Sequence, residues 1–415
     1  MPLRIVATKP NPALVTLPWN LPLEEWPEDL LVPLPRGISR HVVRIVRLGS
    51  DVYAVKETRE PIAFREYRML RDLRRLELPT VEPVAVVAGR ESDDGEPIEP
   101  VLVTRHLTYS LPYRSLFSHG LRADSLPRLV DALAVLLVRL HLSGFFWGDV
   151  SLSNVLFRRS AGEFTAYLVD AETGELHEQL SDGQRAHDLE VAYGNLFGEL
   201  LDLQAGGFLD DQVDPHEIVD LVEKRYTALW EELFGLEEFD ASEMWRIEKR
   251  VDRLNELGFD VDELDIVTDW SGSTVQLQPK VVEAGHHSRD LQSLTGLDVE
   301  DNQARRLLND LSAYAAHLGM PEEKDRAVVA HRWLTQVYEP IMAMVPKELR
   351  SKLEPAEIFH EILEHRWFLS ERAGHEIGIM DSACAYIENE LRSRPDEAVA
   401  TEEDDPDLLL PRATD

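Results

Sequence analysis

The stretch GDVSLSNVLF (148–157) places an aspartate and an asparagine five positions apart in a polar loop that runs directly into an apolar strand. Asp and Asn both bond their own backbone in turns, so Asp149 and Asn154 taken alone read first as turn capping, and as a pair of oxygen ligands only with partners elsewhere in the chain. The downstream residues narrow the choice. NVLF and TAYLVD read as two strands around a turn in RRSAGEF, and antiparallel pairing returns Asn154 and Asp170 to the same sheet edge. Three oxygen-bearing side chains, Asp149, Asn154 and Asp170, then converge at one end of a hairpin, and hard oxygen donors suit Mg²⁺ together with phosphate.

Two upstream features extend this constellation. HVVRIVRLGSDVYAVKET (41–58) reads as a hairpin around Gly-Ser-Asp, with Val52, Ala54 and Lys56 on one face of the second strand. A lysine in that place is an edge protector or a functional cation. PIAFREYRMLRDLRRL (61–76) comes next as a helix with proline in its first turn. Within it Glu66 lies four residues from both Ile62 and Leu70, inside the apolar stripe, where a carboxylate needs a partner. Lys56 is the natural candidate; Arg65 or Arg68 would serve a surface-facing Glu66.

Composition bounds the rest. The chain has 415 residues, enough for two or three domains, and its 43 Lys and Arg against 77 Asp and Glu give a formal charge of −34. Such a surface disfavours nucleic acid and anionic membranes, and favours small soluble partners or basic proteins. Cys384 is the single cysteine, so no internal disulfide forms and a reducing compartment is expected. Prolines interrupt the N-terminal stretch where a signal peptide needs an apolar run, and Asp131, Arg139 and His141 interrupt the most apolar window (129–147). The expectation is a cytoplasmic protein with no membrane span.

The fold class expected is α+β. Residues 1–35 form a proline-rich extended segment, 36–104 a small sheet lobe with one helix, and 105–239 a helical lobe. Residues 240–394 form a mainly helical domain with a short hairpin, and 395–415 an acidic disordered tail.

The pieces AVK with Lys56, Glu66 on the next helix, GDVSLSN and LVDAE make residues 36–235 resemble the protein-kinase-like fold, in the branch of small-molecule and lipopolysaccharide kinases. The resemblance implies ATP and Mg²⁺ as cofactors and phosphoryl transfer to a hydroxyl of a small molecule, sugar or lipid head group. By it, Lys56 contacts the nucleotide phosphates and Glu66 holds Lys56. Asp149 orients or deprotonates the acceptor, while Asn154 and Asp170 ligate Mg²⁺. VTRHL (103–107) matches the hinge, putting Arg105, His106 and Leu107 near adenine.

Departures define the expectations further. No GxGxxG precedes Lys56, and Arg40 and His41 stand as substitute phosphate donors. DAE replaces DFG, so Glu172 is either a further metal-facing carboxylate or a solvated strand-end residue. Only seventeen residues separate Asp170 from Asp188, with no APE-like segment, which disfavours a peptide substrate. Asp188 either braces the catalytic loop or caps its helix. The alternative function is a pseudokinase, a nucleotide-responsive module whose C-terminal half docks a partner.

The C-terminal half looks like an uncharacterised bacterial family in which a lipopolysaccharide-kinase-like half precedes a domain of unknown function. Lys280, His286, His287, Arg289, Arg305 and Arg306 form a locally basic stretch, read as an anionic-ligand pocket or as helices pairing basic with acidic residues. HEILEH (360–365) lacks the HExxH spacing of a zinc site.

Overall fold

The structure is a computed structural model that describes residues 2–32, 41–49, 51–118, 125–235, 237–240, 245–256, 259–268, 274–320 and 326–397. Arg40 and the tail from 398 therefore lie outside the described residues. The chain divides into two compact units, residues 1–158 with 164–226, and residues 159–163 with 227–415.

The first unit begins with β1 (Arg4–Ala7), followed by β2 (Val43–Leu48), β3 (Asp51–Glu57) and α1 (Glu60–Arg75). β4 (Pro83–Ala88), the short pair β5 (Arg90–Glu91) and β6 (Pro97–Ile98), and β7 (Val101–Arg105) complete the small lobe. Its five-stranded sheet runs in the order β1-β4-β7-β3-β2 with antiparallel pairing throughout. Val46, Val55, Val87, Val101 and Val103 are buried on it, as expected of β-branched side chains on a pleated core face.

The N-terminal segment is more structured than an extended strip. β1 pairs with Ala85–Ala88 as the edge strand, and short 3₁₀ turns follow at Pro12–Thr16, Leu23–Glu25 and Glu28–Leu30. Leu14, Leu23, Trp19 and Trp26 enter the sheet's core, the two indoles meeting edge to face at 5.3 Å. The buried Arg90 anchors this segment, donating to Trp19 O at 3.1 Å and to Glu57 at 2.6 Å. The prolines permit this path by fixing φ without closing a long helix.

The larger lobe starts with β8 (Ser110–Pro112) and α2 (Tyr113–Ser118), then α3 (Leu126–Leu142), whose interior is apolar on nearly every face. β9 (Phe145–Phe146), β10 (Val155–Ser160), β11 (Glu163–Leu168) and β12 (Glu175–Leu176) follow. α4 (Asp182–Ala205) opens on a capping box between Ser181 and Gln184, and α5 (Pro215–Phe234) leads into the second unit. β10 and β11 form the anticipated hairpin, with β8 on the other side of β10. Thr80 bridges Leu168 in parallel, joining the segment before β4 to the end of β11.

The second unit carries β13 (Glu237–Asp240), α6 (Trp245–Glu256), β14 (Phe259–Thr268) and β15 (Thr274–Ala284), the strands ordered β13-β15-β14. α7 (His286–Thr295), α8 (Asp301–His317), α9 (Arg326–Trp333), α10 (Glu339–Met344), α11 (Pro355–Ala373) and α12 (Ile379–Asn389) pack around Trp333, Tyr338 and Phe359. A π-helical turn, Leu334–Tyr338, links α9 to α10. His-Arg-Trp occurs twice in this unit, at 331–333 and 365–367, and the two indoles differ: Trp333 is buried and donates to Asp310 at 2.7 Å, whereas Trp367 is exposed. Several arginines here pair with acids, Arg394 with Glu361 and Arg326 with Asp290. The architecture is α+β as expected, a sheet lobe, a helical lobe and a mainly helical C-terminal region. Among the described residues no helix is long and apolar enough to cross a membrane.

Candidate active site

Strand alternation places Lys56 on β3 opposite Val43 and Leu102, so its ammonium extends from the sheet toward α1. There Nζ lies 3.0 Å from Glu66 Oε2, and it also reaches Asp170 Oδ2 at 2.7 Å and Glu172 Oε2 at 3.4 Å. Glu66 is only 1% exposed, which explains why the helix tolerates a carboxylate in its apolar stripe: the cation comes to it. His41 Nε2 stands 3.0 Å from Glu172 Oε2 on the other side. One cation and three carboxylates thus share a pocket, with an imidazole at its rim.

The electrostatics follow from this crowding. Burial pushes Glu66 up to about 8, and the neighbouring Asp170 adds to the shift while Lys56 opposes it. Burial alone would depress Lys56; Glu66 and Asp170 outweigh it and hold the ammonium above the ordinary lysine value. Lys56 is therefore a permanent cation at neutral pH.

The loop before β10 forms a second, adjoining cluster. Asn154 Nδ2 donates to Asp149 O at 3.0 Å and to Asp149 Oδ2 at 3.2 Å. Its carbonyl Oδ1 has no donor among the described residues. Val169 N donates to Asn154 O at 3.0 Å, which places Asn154 one residue across from Asp170. Asp170 Oδ1 accepts from Glu172 N at 3.0 Å. Glu66, Asp170 and Glu172 each offer an oxygen, all within 4.8 Å of one another. An oxygen-only donor set of this density, with an amide oxygen beside it, fits Mg²⁺ in ligand chemistry.

α4 holds the loop from beneath. Asp188 is fully buried within the helix and does not cap it; Ser181 is the N-cap. Its carboxylate accepts from Trp147 N at 2.8 Å, Gly148 N at 2.7 Å and His141 Nε2 at 3.1 Å. Further along, Glu199 accepts from Leu152 N at 2.8 Å, Ser153 N at 2.9 Å and the Ser153 hydroxyl. Burial raises the Glu199 carboxyl, against the pull of those same bonds. Gly148 has φ +74°, a left-handed conformation that favours glycine, immediately before Asp149.

Sequence reasoning did not single out Asn195, whose Nδ2 donates to Asp149 Oδ1 at 3.3 Å, or Glu199. A signal existed: both lie on the line of Asp188, seven and eleven residues on, about two and three helical turns. The segment after Asp170 is short and anchored. β12 pairs with β9, Thr173 Oγ1 donates to Trp147 O at 2.8 Å, and Arg65 donates to Gly174 O at 3.0 Å.

The hinge residues sit at the end of β7. Arg105 N donates to Glu82 O and His106 N to Val52 O, each at 2.8 Å, while Leu107 N has no partner among the described residues. The Arg105 guanidinium is bound to Asp51 at 2.6 Å and Glu82 at 2.8 Å. Burial depresses His106 to about 4. The structure therefore gathers Lys56, Glu66, Asp170, Glu172 and His41 in one contact cluster, and Asp149 with Asn154 beside it. Arg105 engages its side chain away from that cluster.

Comparison with known proteins gives two matches along the chain. Residues 41–196 match the Lipopolysaccharide kinase (Kdo/WaaP) family, and residues 228–391 match the Domain of unknown function (DUF4032). The chain thus carries a domain of the first family followed by one of the second. Among solved structures it is similar to "WaaP in complex with acyl carrier protein", at 17% identity and a TM-score of 0.35, over 61% of this chain and 99% of that one. No curated protein matches.

Proposed function

We propose that the first unit is an ATP- and Mg²⁺-dependent phosphotransferase that acts on a hydroxyl of a small molecule, sugar or lipid head group. The observation that carries this reading is the meeting of Lys56 with Glu66, Asp170 and Glu172 beside the Asp149–Asn154 pair. The kinase-family match over 41–196 supports it.

Phosphoryl transfer asks the protein for position and charge neutralisation. Lys56, held by Glu66, binds phosphate oxygens. Asp170, Glu172 and the Asn154 amide oxygen hold Mg²⁺, which supplies charge neutralisation at the transferring phosphoryl group when bound. Asp149 accepts the hydrogen of the acceptor hydroxyl and orients its oxygen. At the hinge Leu107 N is the donor for adenine, since Arg105 N and His106 N are already bonded. No glycine loop precedes Lys56, so side chains take over part of phosphate binding; His41 serves there, and Arg40 on its sequence position.

A small acceptor is favoured over a peptide because the stretch after Asp170 is clasped to β9 through β12 and leads at once into α4. Exposed Cys384 and the acidic charge suit a reducing cytoplasm. The C-terminal unit is the candidate for docking a protein partner or anionic ligand.

The second reading, a pseudokinase, draws on the missing glycine loop. Titrating the full chain with ATP, with and without Mg²⁺, separates the two when melting temperature and turnover are read together. An enzyme is stabilised and consumes ATP, and Asp149→Ala keeps the stabilisation while losing turnover. Stabilisation with no turnover on any acceptor or on water selects the pseudokinase, and an unmoved melting temperature at millimolar ATP·Mg²⁺ removes both.

A further inference from the structure

Asp149 is gripped from two sides. Asn154 Nδ2 reaches its Oδ2 at 3.2 Å, and Asn195 Nδ2, from α4, reaches its Oδ1 at 3.3 Å. The same Asn195 nitrogen donates to Val150 O at 3.0 Å. Both acceptors are oxygens, so the amide group must present its NH₂ to the loop, and its orientation is fixed by chemistry. With one hydrogen on a backbone carbonyl and the other on the carboxylate, Asn195 ties the plane of Asp149 to the backbone immediately after it.

We propose that Asn195 is a positioning residue for Asp149: it sets the carboxylate plane that receives the acceptor hydroxyl. The role rests on the phosphotransferase reading above. α4 then holds the whole catalytic loop along one line, Asp188 taking Trp147 and Gly148, Asn195 taking Asp149 and Val150, and Glu199 taking Leu152 and Ser153. Asp188 and Glu199 bind backbone; Asn195 alone among the three touches the reactive side chain. Misplacing a reacting group by about 1 Å costs roughly 100-fold in rate, so a single amide is enough to matter.

The test uses the full chain and reads ATP·Mg²⁺ hydrolysis, transfer to water, alongside melting temperature. Asn195→Ala should lower kcat about 10- to 100-fold and leave the KM for ATP·Mg²⁺ within about twofold. Asn195→Asp preserves shape but sets a like charge on Asp149, so it should be worse than alanine in kcat and lower the melting temperature by roughly 3–6 °C. A side chain that merely packs would give the opposite order. The double variant Asp149→Asn with Asn195→Asp exchanges donor and acceptor between the two side chains, while Val150 O stays without its donor as in Asn195→Asp; the melting temperature should rise above that of Asn195→Asp without reaching the wild type, and activity stays lost.

If the double variant shows no recovery, the two side chains do not interact and the proposal is overturned. Equal kcat for wild type and Asn195→Ala overturns it too. Recovery in a protein whose wild type transfers no phosphoryl group to water or acceptor overturns the phosphotransferase reading, and the positioning role falls with it while the bond itself stands.

Discussion

Lys56 Nζ lies 2.7 Å from Asp170 Oδ2 although 114 residues separate them in sequence. The contact depends on two strand ends, β3 and β11, and on the parallel bridge from Thr80 to Leu168 that joins the segment before β4 to β11. Because Glu66 shares the same ammonium, the cation holds a deeply buried carboxylate as well as a partly exposed one.

Removing that cation has a pH signature. In Lys56→Met, Glu66 loses its partner while burial and Asp170 still raise it. A carboxyl raised above its unfolded value is stabilising in its neutral form, so stability is present at low pH and is lost as pH rises through the folded value. Lys56→Met should thus carry a deficit that is constant up to about pH 8 and grows by about 1.4 kcal/mol for each further pH unit until Glu66 ionises in the variant, read by urea denaturation. Adding Glu66→Gln should flatten the difference; a deficit independent of pH in both variants would mean that Glu66 is not the group responsible.

Asp170 is the proposed metal ligand whose loss is easiest to isolate. Asp170→Ala should keep most of the metal-free stabilisation by ATP and lose most of the increment that Mg²⁺ adds. Thermal-shift titration at fixed ATP reads the increment directly. If it is unchanged, Asp170 does not hold the metal.

Much of this site was legible in the chain. Alternation along NVLF and TAYLVD sufficed to bring Asn154 and Asp170 to one edge, and a carboxylate inside an apolar helical stripe pointed to Glu66. His41 was visible only through resemblance, since its partner Glu172 lies 131 residues away and no periodicity links them. Asn195 and Glu199 were hidden by the ordinary rule that polar residues of an amphipathic helix face water. The N-terminal segment misled through its prolines, although Trp19 and Trp26 are residues that a solvated strip has little reason to keep.

Asp188 is the next point of leverage. Its replacement by alanine strands two backbone N–H groups and leaves His141 bonded only through Nδ1 to Tyr226. The expected loss is about 2–4 kcal/mol. Hydrogen exchange at Trp147 and Gly148 should accelerate well beyond the change at β4. Uniform acceleration across the unit would show that Asp188 supports the fold at large and not the loop.

Glycine positions give an internal control. Gly144 has φ +77°, and a Cβ there would stand 2.1 Å from His177 O; Gly49 has φ +66° but open space around it. Gly49→Ala should cost about 1–2 kcal/mol from the left-handed backbone alone. Gly144→Ala adds a backbone collision that no side chain can relieve, and should cost clearly more in denaturant melts. Equal effects would show that the approach of His177 O to Gly144 is looser than the structure has it.

His106, at the hinge, reports on burial through acid. Desolvation depresses its imidazole to about 4, from the ordinary 6.5. A histidine that is neutral when folded and protonated when unfolded makes the unfolded chain bind more protons between those values. Stability is therefore full above about pH 6.5 and falls as pH drops toward 4. His106→Gln should lose this component, so its melting temperature should decline less steeply than that of the wild type between pH 6.5 and 4.5. Parallel declines would show that the ring titrates normally and is in contact with water, and the hinge would then be an open edge and not the desolvated wall that adenine binding requires.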